Sequence, residues 1–161
     1  NTEITGGFMK ISAINEGVSL IANIGVIGSI VFLGLEMQQN TEMMQSQTRN
    51  SIVENQLSFY ERGIENSEIG ATRDKINLDL DVEATERFQY TLYIQSQLRM
   101  WENEFYQYQI GLFDSDEFEV RTNTHRDQAT IKSNMAVWER YEHWFAPNKY
   151  MRNILNFLNF F

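Results

Sequence analysis

The residues best suited to chemistry fall in one segment, Met100-Trp101-Glu102-Asn103-Glu104-Phe105-Tyr106-Gln107-Tyr108-Gln109-Ile110-Gly111-Leu112-Phe113-Asp114. On a helix, Trp101, Phe105, Tyr108 and Leu112 face one way, and Glu102, Asn103 and Tyr106 lie largely off that face. With Gln107, these polar side chains offer donors and acceptors for a pocket or a partner surface. The competing reading is structural. An aromatic stripe at helical spacing is usually core, and its polar neighbours then bond adjacent helices. A small ligand held between helices would lie near Trp101, Tyr108 and Trp138. Glu102 and Glu104 point to different sides of the helix and read as solvated charges rather than an acid–base pair.

The histidines add little. A carboxylate-bridged di-metal bundle needs paired Glu-x-x-His motifs. The residues three before His125 and His143 are Thr122 and Arg140. Glu139 stands four before His143, the spacing of a helix-surface pair. No nucleophile elbow, phosphate loop, dinucleotide fingerprint or H-E-x-x-H motif occurs. The chain has no cysteine, which excludes disulfides, zinc–thiolate sites and thiol nucleophiles. No catalytic residue, metal ligand or cofactor is expected, although an enzyme of unrecognised type stays open as an alternative.

Charge narrows the partners. The net charge is −9, and the 13 Lys and Arg are scattered singly. A nucleic-acid footprint needs a basic face, so no nucleic acid is expected. Anionic headgroups would repel such a chain, so any membrane attachment must be hydrophobic.

Long helices must position these groups, because the only proline is Pro147. From Gly17 to Leu35 the chain reads GVSLIANIGVIGSIVFLGL, uncharged between Glu16 and Glu36. As a helix it covers roughly 28 Å, close to the hydrocarbon thickness of a bilayer. A buried helix of a soluble bundle is one alternative. A cleaved signal is another, but Glu36-Met37-Gln38-Gln39 offers no small-residue cleavage site. Ala22, Asn23, Gly25, Gly28 and Ser29 would permit close helix–helix contact within a membrane. Lys10 and Arg49 are too few and too distant to set an orientation. Met9-Lys10 resembles a natural start, which would make residues 1–8 an upstream extension.

The first helix is expected to run on from about Glu16 to Arg62. Val53, Leu57, Tyr60 and Ile64 form one face, and Gly63 loosens the end. Met37, Met43 and Met44 offer an adaptable contact surface or a packing seam. A polar connection over 65–81 holds a short helix near Ala71–Ile76, and Asp81 caps the next helix. That helix, Val82–Leu112, carries Tyr90, Ile94, Gln97, Trp101, Phe105, Tyr108 and Leu112, widened by Phe88, Leu92 and Leu98. Asp114 starts a helix to about Asn123. Another follows over 127–145, and a last one opens at Pro147 with Tyr150, Met151, Ile154, Leu155, Leu158 and Phe161 on one face.

Two motifs in this order, Leu33-Gly34-Leu35-Glu36-Met37-Gln38-Gln39-Asn40-Thr41 and the Trp101–Asp114 segment, resemble a family of small uncharacterised bacterial proteins. Its members have one N-terminal membrane helix, a Q-N-T sequence at its exit, and a W-E-N-x-[YF]-Y-Q-Y-x-x-G-L-[LF]-D motif. The resemblance spans about Gly17 to Phe145 and implies a tethered helical domain. It brings no activity with it. Family members often carry a basic residue where this chain has Gln38, and without that charge the side of the membrane stays open.

The expected fold is all-α: a lead over 1–16, a transmembrane helix over 17–35 that continues into an antiparallel helical bundle, and the bundle domain over 36–161. The expected role is contact with membrane lipid and with another membrane protein or a second copy of the chain. The alternative is a tethered sensor for a small ligand.

Overall fold

A computed structural model describes the backbone of residues 2–145 and the side chains of residues 15–145. The fold is all-α, with no strand among the described residues. Its helices are α1 (Thr2–Glu65), α2 (Ser67–Asn77), α3 (Ala84–Gln109), α4 (Ser115–Ala129) and α5 (Lys132–Tyr141), followed by a 3-10 turn over Glu142–Trp144. The helix expected from Pro147 lies outside the described residues.

The chain divides into two units, residues 1–43 and 44–161. The first is a single helix. Without proline, nothing interrupts its backbone bonds, and α1 passes Leu35 and Glu36 without a break. The Ser29 hydroxyl donates to the Gly25 carbonyl at 2.8 Å, and that of Thr41 to the Met37 carbonyl at 3.0 Å. Such bonds keep small polar side chains satisfied on a helix with no neighbour.

The second unit is a bundle around α3. Partners of α1 fall along α3 as α1 advances: Gln45 reaches the Gly111 carbonyl, Gln56 reaches Glu104, and Phe59 stacks on Tyr93. This part of α1 therefore runs antiparallel to α3. The same logic makes α4 antiparallel, through Tyr108–Phe118 and Trp101–His125, and α5 parallel, through Tyr90–Ser133 and Arg99–Trp144. The main core gathers Tyr90, Ile94, Leu98, Trp101, Ala129, Val137, Trp138 and Phe145. A smaller one joins Ile52, Phe113 and Phe118.

Local chemistry fixes the ends. Asn66 alone separates α1 from α2, and its side chain accepts the Glu68 amide at 3.2 Å. The helix near Ala71–Ile76 is thus longer than expected and begins almost at once. The start of α3 belongs to Glu83, not Asp81: the Glu83 amide donates to Glu86 at 3.3 Å, and Lys75 holds the same carboxylate at 2.7 Å. Gly111, at φ +76°, ends α3 in the left-handed conformation. Asp114 accepts the Asp116 and Glu117 amides at 2.9 and 3.0 Å, as its capping spacing requires. The two helices expected over 115–145 divide later than the sequence suggests, at Thr130–Ile131, where Ile131 is extended.

Gly63 does not loosen α1, which continues to Glu65. A Cβ there would sit 2.7 Å from the Tyr93 hydroxyl. Glycine is needed so that Tyr93 can cross the helix and stack on Phe59, ring centres 4.4 Å apart.

Candidate functional site

The helical phase of α3 sorts the residues of its distinctive segment. Tyr90, Ile94, Gln97, Leu98, Trp101 and Glu104 are buried. Trp101 and Trp138 are therefore buried in the main core. Glu102 is half-buried and paired with Arg99 at 2.6 Å. Asn103, Tyr106 and Tyr108 are exposed, and Gln107 bonds back to Asn103 at 3.4 Å. Tyr108 lies flat on Phe118, ring centres 4.2 Å apart. The expected polar group is thus spread around the helix. None of the four clefts described among these residues is lined by Trp101, Tyr108 or Trp138. Phe88 and Leu92, expected to widen the stripe, are exposed.

Glu104, expected as a solvated charge, is fully buried at the centre of a polar network. Its Oε1 accepts from Arg121 Nη2 at 3.0 Å and Gln56 Nε2 at 3.2 Å. Its Oε2 accepts from Arg121 Nε at 3.1 Å and meets His125 Nε2 at 3.1 Å. Burial pushes this carboxyl up. Hydrogen bonds from His125 and Arg121, with the guanidinium charge, outweigh burial and hold it below its ordinary value. Burial is also the largest influence on His125 and lowers its pKa against the pull of Glu104. The imidazole is therefore neutral at pH 7. Because an ionised carboxylate only accepts, Nε2 must carry the hydrogen. The ring stacks on Trp101 at 4.4 Å.

This network ties α1, α3 and α4 together. All its acceptors are engaged and Glu104 has no exposure, so it cannot act as a base toward a substrate. A signal for it existed in the sequence: Gln97, Trp101 and Glu104 continue the Tyr90–Ile94 phase, and Arg121 and His125 stand one turn apart. No three His, Asp or Glu side chains converge as a metal site among the described residues. Glu139 and His143 make no ion pair there.

Two clefts of about 290 and 280 Å³ border Asn103, the first lined by Gln107 and Leu112 as well. A cleft of about 430 Å³ opens between α1, α2 and α3, with Gln128 and Asn134 at its far side. Phe59, Tyr90, Tyr93 and Ile94 wall it, and Arg73, paired with Asp74 at 3.1 Å, stands on its α2 side.

Two apolar surfaces remain open. In residues 1–43, eleven large apolar side chains from Val18 to Leu35 are 55–72% exposed. Ala22, Asn23, Gly25, Gly28 and Ser29 lie on the same uncovered helix. One helix among the described residues is long and apolar enough to cross a membrane, and it is this one. In the second unit, Val53, Leu57, Tyr60 and Ile64 are exposed, although the sequence suggests them as the packing face. The buried face of α1 is Ile52 and Phe59, with Gln56 and Gly63 half-buried between and beyond them.

The sequence matches no family model, no curated protein and no solved structure.

Proposed function

We propose that this chain is a single-pass membrane protein whose helical bundle acts by contact with other proteins, as an accessory or structural subunit of a membrane assembly or as a homo-oligomer. The observation that carries this reading is the uncovered run in α1. Its eleven large apolar side chains have nothing to pack on within their own unit. Full burial of such a side chain is worth about 1.5–3 kcal/mol, and at 55–72% exposure about 1–2 kcal/mol of that is still to be gained. Leaving them in water thus forgoes on the order of 15 kcal/mol, comparable to a typical domain's whole stability. A bilayer supplies that burial, and nineteen uncharged residues match its thickness. The negative net charge makes hydrophobic insertion the favoured route, since anionic headgroups offer no attraction.

Contact with protein is supported by the exposed stripe of Val53, Leu57, Tyr60 and Ile64. Its spacing of four, three and four is that of a helix–helix seam, and a contiguous apolar face on a folded domain commonly marks an interaction site. Ala22, Gly25 and Ser29, which share one side of α1, would let a second helix approach closely within the bilayer. The resemblance to small bacterial proteins with one N-terminal membrane helix agrees with this reading.

Carbonate extraction of membranes from the source cells, followed by native mass measurement in mild detergent, tests it. The chain should stay in the carbonate-washed membrane and migrate above its monomer mass. Release into the carbonate supernatant would sink the membrane reading. Retention as a monomer would sink the contact reading. A tethered sensor is the second reading, and the cleft beside α2 favours it.

A further inference from the structure

We propose that the cleft between α1, α2 and α3 binds a small, flat, mostly apolar and uncharged molecule carrying an adjacent donor and acceptor, such as an amide, lactam or nucleobase edge, and that Gln97 is the residue that recognises that edge. Gln97 is more than nine-tenths buried, yet its carboxamide has no hydrogen-bond partner among the described residues. Every fully enclosed side-chain nitrogen or oxygen there does have a partner. The carboxamide of Gln97 must therefore border open space, and the space beside it is the cleft.

The neighbouring polar groups make the contrast. Tyr90 bonds Ser133 and Asn134 at 2.8 and 2.6 Å, Asn134 bonds the Gln128 carbonyl at 2.8 Å, and Glu104 is saturated. A carboxamide that faces the cleft is met by solvent while the cleft is empty, so a ligand that restores the pairing keeps it as its body fills the cleft, whereas one without the edge forfeits it. A carboxamide presents a donor beside an acceptor, and its complement is the same pair reversed. The walls, Phe59, Ile69, Tyr93 and Ile94, suit an aromatic or aliphatic body. Arg73 is already paired with Asp74, which favours a neutral ligand over an anion. The volume, about 430 Å³, lies within the range of small-molecule sites. The inference does not rest on the membrane reading, because every lining residue lies between 59 and 134.

The test is calorimetric titration of the full chain in lipid nanodiscs, with empty discs subtracted. The probes are 2-quinolinone, which carries the lactam edge, and quinoline, which has nearly the same shape without it. The lactam should bind about tenfold more tightly. Gln97→Met, close in volume, should bring the lactam down to the affinity of quinoline and leave quinoline unchanged. Its thermal midpoint should be no lower than that of the parent, since no protein hydrogen bond is lost. Gly70→Leu adds a side chain at the cleft wall where Gly70 leaves open space, and should weaken both probes. The proposal is overturned if neither probe binds at millimolar concentration, or if Gln97→Met binds the lactam as the parent does. A lower midpoint for Gln97→Met would overturn it too, because the carboxamide would then have a structural role.

Discussion

Replacing Glu104 by leucine removes one carboxylate and strands three partners at once. Arg121 keeps a guanidinium whose side chain is only 16% exposed, and Gln56 and His125 each lose an acceptor. Breaking a buried ion pair costs about 3–5 kcal/mol. The slight exposure of Arg121 lets its head turn toward water, so the lower end applies, about 3 kcal/mol. The double variant Glu104→Leu/Arg121→Leu removes both charges and should regain about 1–2 kcal/mol of that loss, because no uncompensated charge is left behind. Urea unfolding of the full chain in nanodiscs, followed by tryptophan emission, measures both. All three tryptophans, Trp101, Trp138 and Trp144, lie in the second unit, so the signal reports on that unit alone. A single variant within about 0.5 kcal/mol of the parent would refute the reasoning, since that is the range of ordinary surface changes. So would two single losses that simply add.

The same unfolding assay should show stability falling with acid in two stages. Burial lowers the His125 pKa below its unfolded value, so as pH drops below about 6.5 the unfolded chain takes up the proton first and stability declines. The contribution of Glu104, whose folded pKa is also lowered, persists until pH falls into the carboxylate range and is lost toward its folded pKa. A flat profile between pH 7 and 5.5 would count against a buried neutral imidazole. Gly63→Ala should destabilise the domain by about 1 kcal/mol through its clash with the Tyr93 hydroxyl, within the usual cost of overpacking. In a Tyr93→Phe background the nearest atom lies 3.5 Å away, and the same change should stabilise by about 0.5–1 kcal/mol through helix propensity; equal effects in both backgrounds would rule the clash out. Tyr90→Phe leaves Ser133 and Asn134 short of a partner in the core and should cost about 1–3 kcal/mol in urea unfolding. A neutral result would mean that the two polar side chains re-pair with each other.

The long helices, the uncharged run and the cap at Asp114 are legible because each rests on local chemistry: proline absence, residue spacing, a carboxylate at a helix start. The packing phase of α1 is not. Two stripes offset by one residue compete there, Ile52-Gln56-Phe59-Gly63 and Val53-Leu57-Tyr60-Ile64. The second is the more apolar, so hydrophobic spacing favours it. The structure buries the first, because Gly63 admits Tyr93 and Gln56 reaches Glu104. The same limit hid the buried network. A glutamate in phase with Trp101 reads as solvated until Arg121 and His125 are seen to meet it from another helix. Residue spacing puts Gln97 on the core face, where it lies, but its missing partner is a property of three-dimensional packing that spacing does not encode.

The antiparallel match between α1 and α3 has a consequence for synthesis. Gln56 bonds a residue 48 positions later, and Gln45 one 66 positions later. A ribosome adds about 5–20 residues per second, so Gln45 waits roughly 3–13 s for Gly111 to be made. Within that interval Phe59 waits until Tyr93 is made, and at its close Ile52 still lacks Phe113 and Phe118, while the apolar run before them has already been made. The uncharged run of α1 is thus complete before any of the bundle that follows it has been made.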